Sequence, residues 1–264
     1  MLTTELNSSN TIKAMKTTGR FIAFILLLSI AYSCTSTKNI QTNMNSKRNS
    51  LAYIMDSEIA STKSEVSVFT DTVIFDPALL NDLTLVTREK GWFIPLVFVY
   101  IWNSTNNCIQ GRSIMEEDPA VFLKTSLNNE INRSGYFKTD SLKESEYSLE
   151  LSIDEIKADG PYVSKGFFYF ALYAYGFSYG DYAGPANASL KISYQLKKNG
   201  QLTHSNTFGS EKNTEQIRKR YNNLALLQQD YATSMVEATS YNFKKISELI
   251  VNDLNTYFKS QLSN

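Results

Sequence analysis

Ala188-Ser189-Leu190-Lys191-Ile192-Ser193-Tyr194-Gln195-Leu196-Lys197-Lys198-Asn199-Gly200-Gln201 alternates apolar and polar side chains up to Leu196 and then meets Asn-Gly. A period of two puts Ala188, Leu190, Ile192, Tyr194 and Leu196 on one face of a half-buried strand. Asn199-Gly200 suits the positive φ of a type I′ turn, so residues 202–208 are expected as the return strand. Upstream, Tyr147, Leu149, Leu151 and Ile153 alternate in the same way with Ser, Glu, Ser and Asp. The chain therefore carries an antiparallel sheet with one face on a core.

The pattern changes period on either side of these strands. Asp118-Pro119 is a helix start, an N-cap residue followed by proline at the first helical position. Ala120, Leu123, Leu127 and Ile131 follow at helical spacing, and Gly135 closes the helix. Near the C-terminus, residues 214–237 are expected as one helix, with Ile217, Tyr221, Leu224 and Leu227 on one side. Phe243, Ile246, Ile250, Leu254 and Tyr257 mark a second amphipathic helix. Residues 65–75 and 83–86 read as short strands, and the uncharged run 91–102 as a buried strand or one whose aromatic surface lies exposed against something apolar. The order of strands, helix, strands and helices predicts an α+β fold. It is expected as a single domain over residues 64–264, an antiparallel or mixed sheet with amphipathic helices packed on one face.

The N-terminus predicts location. Residues 21–32 are uncharged and apolar, preceded by Lys16 and Arg20 and followed by Ser33-Cys34. A basic flank, a short apolar run and small residues before a cut form an export signal. The run is too short for a bilayer, which takes about 20 apolar residues. A cysteine just after the cut makes Cys34 the expected lipid-attachment residue of a lipoprotein; ordinary cleavage after Ala31-Tyr32-Ser33 is the alternative and leaves the same mature chain. The signal is residues 15–33. Residues 1–14, with Glu5 and a polar Asn-Ser-Ser run, are expected to be a mis-annotated extension before Met15. Residues 34–63, rich in Ser, Thr, Asn and Lys, read as a flexible tether with a reach of roughly 30 Å.

Composition excludes several functions. Lys plus Arg and Asp plus Glu both number 26, so no basic excess supports nucleic-acid binding. With Cys34 acylated, Cys108 has no partner for a disulfide and reads as a buried or incidental thiol beside a polar turn-like stretch at 103–107. His204 is the only histidine, and no metal or cofactor motif is present.

Two stretches carry candidate sites. Gly176-Phe177-Ser178-Tyr179-Gly180 matches the G-x-S-x-G elbow of serine hydrolases, with His204 as the only available base. The context fails, because a strand rather than a helix follows Ser178. The second stretch follows Gly160-Pro161, which reads as a chain break. Phe167, Phe168, Phe170, Tyr173, Tyr175, Phe177 and Tyr179 crowd a segment interrupted by Gly166, Gly176, Gly180 and Gly184. A plain core strand does not need so many glycines. At least part of residues 167–182 is therefore expected as a mobile, partly exposed loop that binds lipid or a partner.

From about residue 66 to 258 the layout resembles small envelope lipoproteins with a compact α+β domain. These are the auxiliary lipoproteins of ABC-type transport systems and the lipopolysaccharide-assembly lipoprotein. The resemblance rests on Cys34, the helix ending at Gly135-Tyr136-Phe137, the strand at 147–156, the Lys198-Asn199-Gly200 hairpin and the terminal helix at 243–258. The aromatic insertion departs from it. The resemblance implies a non-enzymatic adaptor or binding component in lipid transport or envelope assembly. Its partners would be the membrane, through the lipid anchor, and envelope transport or assembly proteins. The expected site is the outer membrane, on its periplasmic or surface face. A glycan-binding surface lipoprotein is the alternative and a serine hydrolase the third reading.

Overall fold

The computed structural model describes residues 36–60, 62–96, 99–140, 145–170, 174–218 and 223–262. The fold is α+β, a mixed sheet with helices packed against it. The expected hairpin is present as β9, Asn187–Lys198, and β10, Gln201–Asn213. Its turn is held by Asn199 at φ 50° and Gly200 at φ 81°, the left-handed pair that Asn-Gly tolerates. All five alternating residues of β9 are buried.

The sheet is built on β6, Tyr147–Phe170, a strand of 24 residues. One half of the sheet has the order β10-β9-β6-β1-β5, where β1 is Ser67–Phe75 and β5 is Lys138–Asp140. β1 runs parallel to both neighbours; β6, β9 and β10 are antiparallel. In the other half, β6 pairs with β4, Val99–Ile109, and β4 pairs with β2, Leu85–Arg88, and β3, Trp92–Leu96. On its other side β6 pairs with β7, Ala174–Ser178, and β8, Tyr182–Ala183. The short β11, Ile217–Arg218, pairs with β8.

Among the described residues, three helices cover one face: α1, Thr37–Met44, α2, Pro119–Ser134, and α3, Leu224–Leu262. Asp118 caps α2 by accepting the Ala120 N–H at 2.9 Å, as its sequence predicts. Phe122 of α2 meets Phe243 of α3 edge to face at 5.3 Å. Phe258 of α3 packs on Phe137 at 4.9 Å and on Tyr147 at 5.2 Å.

Five expectations change. The two C-terminal helices are one, and it starts later. Thr214 donates its N–H to Ala186 O at 2.9 Å and accepts the Ala186 N–H at 2.8 Å, which holds the chain extended. The two apolar stripes merge because the polar residues between them are satisfied within the fold. Asn242 donates to Ala188 O at 2.9 Å and accepts from Ser210 at the same distance.

Gly160-Pro161 does not break the chain but lies inside β6. The Pro161 carbonyl accepts from Gly184 N at 2.7 Å on the side where β9 has ended, so the missing N–H falls in a gap of the ladder. Residues 36–60 are packed chain rather than a flexible tether. Ile40, Met44 and Leu51 are buried, because an amphipathic turn found an apolar groove along α3. Residues 103–107 are strand, not turn, and they carry Cys108 into the core. Finally, of the two readings of 91–102 the buried strand does not hold: residues 92–96 and 99–102 lie in β3 and β4, and Trp92 is 74% exposed.

Candidate functional site

Beyond residue 163 the sheet leaves the helices and continues as a four-stranded antiparallel ribbon, β3-β4-β6-β7. Register assigns its two faces, since directly opposite residues share a side. On the outer face the first row is Trp92, Asn103, Lys165 and Tyr179. The next contains Ile94, Ile101 and Phe167, and the next Val99, Tyr169 and Tyr175. Nearer the body the same face is mixed: Asn107 and Thr105 on β4 lie opposite Pro161 and Val163 of β6, and Glu155, Lys157 and Asp159 follow toward the start of β6. The outer face carries its last charge at Lys165 and is apolar in the rows beyond it. Trp92, Ile94, Ile101, Tyr169, Tyr175 and Tyr179 are all exposed there, Tyr175 by 60%.

The opposite face continues the core side of β6 and explains the glycines. A Cβ on Gly166 would lie 1.9 Å from Trp102 Cζ2, and one on Gly176 would lie 2.8 Å from Phe168 Cδ2. Tyr100 and Phe168 pack with ring centroids 6.4 Å apart. Trp102 Nε1 donates to Ser164 Oγ at 3.4 Å. Gly166 and Gly176 are thus floors for aromatic rings rather than points of looseness in a loop. Gly166→Val is expected to expel the Trp102 ring, with a red-shifted emission and a loss of about 1–3 kcal/mol from overpacking. Chemical denaturation followed by tryptophan fluorescence measures both.

The expected aromatic candidates fall partly together. Tyr175 and Tyr179 are exposed on the outer face, Phe167 is half-buried there, and Phe168 lies half-buried on the other side. Phe167 meets Tyr175 at 6.5 Å and Tyr179 at 6.2 Å between centroids. Phe170 and Phe177 take backbone places in β6 and β7. Tyr173 lies outside the described residues, as does Cys34. The segment is a β-hairpin and not an irregular loop. Trp92, Ile94 and Ile101, the other half of the same face, are not among the expected site residues. The uncharged run 91–102 that holds them is apolar at both parities, which left core strand and exposed apolar surface both open.

The hydrolase elbow is not assembled. Ser178 Oγ donates to Asp181 Oδ2 at 2.5 Å, and Asp181 also accepts the Lys165 N–H at 3.0 Å, so this carboxylate pins a turn. His204 Nε2 lies 3.1 Å from Asp253 Oδ2, and its ring stacks on Tyr257 at 4.8 Å. Ser178 pairs with Gly166, whereas His204 reaches Leu149 of β6 through Leu196. Those two places on β6 are roughly 50 Å apart along the strand.

Asp253 also accepts from Tyr194 and Asn206. Burial alone would raise its carboxyl, but the hydrogen bonds from Tyr194, Asn206 and His204 outweigh it and hold the group below the usual carboxylate range. Cys108 is fully buried, and desolvation pushes its thiol up to about 12. The thiol is then neutral across the physiological range and unreactive. A thiol reagent at pH 8 is expected to leave Cys108 unmodified in the folded protein and to label it fully in denaturant.

No family model matches this chain, and no curated protein matches it. Among solved structures it is similar to the crystal structure of protein XCC0632 from Xanthomonas campestris, of family model DUF330. The two share 7% identity over 83% of this chain and 100% of the other, with a TM-score of 0.44. A likeness this loose carries no argument about function.

Proposed function

We propose that this chain is a bacterial envelope lipoprotein, anchored through Cys34, that acts as a non-enzymatic binding component in lipid transport or envelope assembly. One observation carries the reading: the outer face of the ribbon carries its last charge at Lys165 and is apolar and exposed beyond it. A soluble body has no use for such a surface, whereas acyl chains or an apolar partner do. The aromatic rings are interleaved with Ile94, Ile101 and Val99. Aliphatic rows suit acyl chains better than sugars, whose hydroxyls need polar partners beside each stacking ring. This favours the lipid reading over a glycan-binding surface.

The test has two parts. Mass spectrometry of the mature protein from cell membranes is expected to find a new N-terminus at Cys34 bearing acyl chains. Cells fed a photoactivatable fatty acid are expected to yield cross-linked peptides from residues 92–103 and 165–179. An unmodified Cys34 on a soluble protein overturns the anchor. Cross-links confined to other surfaces overturn the binding role.

A further inference from the structure

We infer that the ribbon is a second membrane contact, which dips into one leaflet of a bilayer beside the lipid anchor. The inference rests on the lipoprotein reading above and adds the occupant, the depth and the orientation.

The row of Trp92, Lys165 and Tyr179 has the composition of a membrane–water interface, where amphipathic rings and a long cation sit at headgroup level. Beyond that row, from Phe93 to Trp102 and from Gly166 to Gly180, the sequence contains no charged residue. The depth follows from strand geometry. Lys165 to Phe170 is about 17 Å at the usual rise per residue. One leaflet contributes half of a hydrocarbon core about 30 Å thick, and a crossing strand needs about 9–11 residues. The ribbon is long enough to enter a leaflet and too short to cross.

The first described helix, α1, meets α3 toward the ribbon end of β6. The first turns of α3 sit over residues 160–162 of β6, where a Cβ on Gly160 would meet Tyr231 Oη at 2.6 Å. Asn43 of α1 donates to Gln228 of those turns at 2.7 Å. That level is about 10–17 Å short of Lys165 along the strand. Covalent geometry keeps residue 34 within about 8 Å of Ser36, the residue that caps α1. Cys34 stands two positions before Ser36, so a lipid there is tethered to the start of α1. A second copy of the chain is the poorer occupant. The outer strand β3 has five residues, and Pro95 stands at an outward position of its ladder with no N–H to offer a further strand.

Both tryptophans of the chain, Trp92 and Trp102, lie in this ribbon, so intrinsic fluorescence reports on it directly. The mature chain from Cys34, made without acylation, would be coupled through that thiol to a maleimide lipid in phosphatidylcholine–phosphatidylglycerol vesicles. Cys108 is buried and does not compete. Vesicles carrying bromines near the headgroup are expected to quench Trp92 more than vesicles brominated near the chain ends. In the Trp92→Phe, Tyr175→Trp variant the order is expected to reverse, because position 175 lies two rows deeper. Coupled protein whose emission is unaffected by either lipid overturns the inference. So does absence of quenching together with a ring of copies in mass photometry, which would assign the face to a second copy. The maleimide supplies the anchor, so a failure of Cys34 acylation in cells leaves this measurement intact.

Discussion

Phe243→Ala is expected to lower the unfolding free energy by about 3–5 kcal/mol, the range for deleting a fully buried aromatic ring. Phe243 is 0% exposed and stands edge-on to Phe122, so the ring joins α3 to α2 above the sheet. Its loss removes apolar burial and an aromatic pair, and it leaves a cavity between two helices that are held apart by their other contacts. A domain of this kind has about 5–15 kcal/mol in all, so the change takes a large share of it. Urea denaturation followed by far-UV circular dichroism is expected to show a lower midpoint with an unchanged slope. A midpoint within error of wild type would mean that α3 is not seated on α2 as described.

The same position shows how much of the fold the residues declare. The β9–β10 hairpin was legible because alternation and Asn-Gly agree on one answer. Helix α2 was legible because Asp118-Pro119 marks its start and the apolar spacing runs on to Ile131. The end of β10 and the start of α3 were not legible. Ile217, Leu224 and Leu227 fall at helical spacing, yet Thr214 is tied to Ala186 by two hydrogen bonds that only the folded sheet provides. Asn242 separates two apolar stripes in the sequence, but its amide finds Ala188 and Ser210 across the core. Tertiary partners decided both cases, and a single sequence does not list them.

The candidate site was half legible for a related reason. Residues 166–182 stand out by glycine and aromatic content, but those glycines have an explanation only once Trp102 and Phe168 are seen above them. Residues 91–102 are apolar at every position, which fits burial on two faces as well as exposure to something apolar. Nothing local separates those states. Long-range pairing does, by placing the run against Gly166–Phe170 at the end of the sheet that none of the described helices covers.

That placement gives the second large effect. The double change Ile94→Asp, Tyr175→Asp is expected to leave the fold intact and to abolish membrane association through the ribbon. Ile94 is 44% and Tyr175 60% exposed, so neither change opens a cavity. Surface substitutions of this sort shift stability by about 0.5 kcal/mol or less. In a leaflet the balance is different. A charged side chain in the hydrocarbon costs on the order of 2–3 kcal/mol, less toward the interface. Two such groups lower partitioning by roughly a hundredfold or more, since about 1.4 kcal/mol is a factor of ten. The measurement is vesicle flotation of the mature chain carrying Cys34→Ser, in which the ribbon is the sole expected membrane contact. The parent is expected to float and the double variant to stay at the bottom of the gradient, with matching thermal melts. Equal flotation of the two would remove the ribbon as a membrane contact. A melt far below the parent's would place Ile94 and Tyr175 in a packed interior, against the register that sets them on the open face.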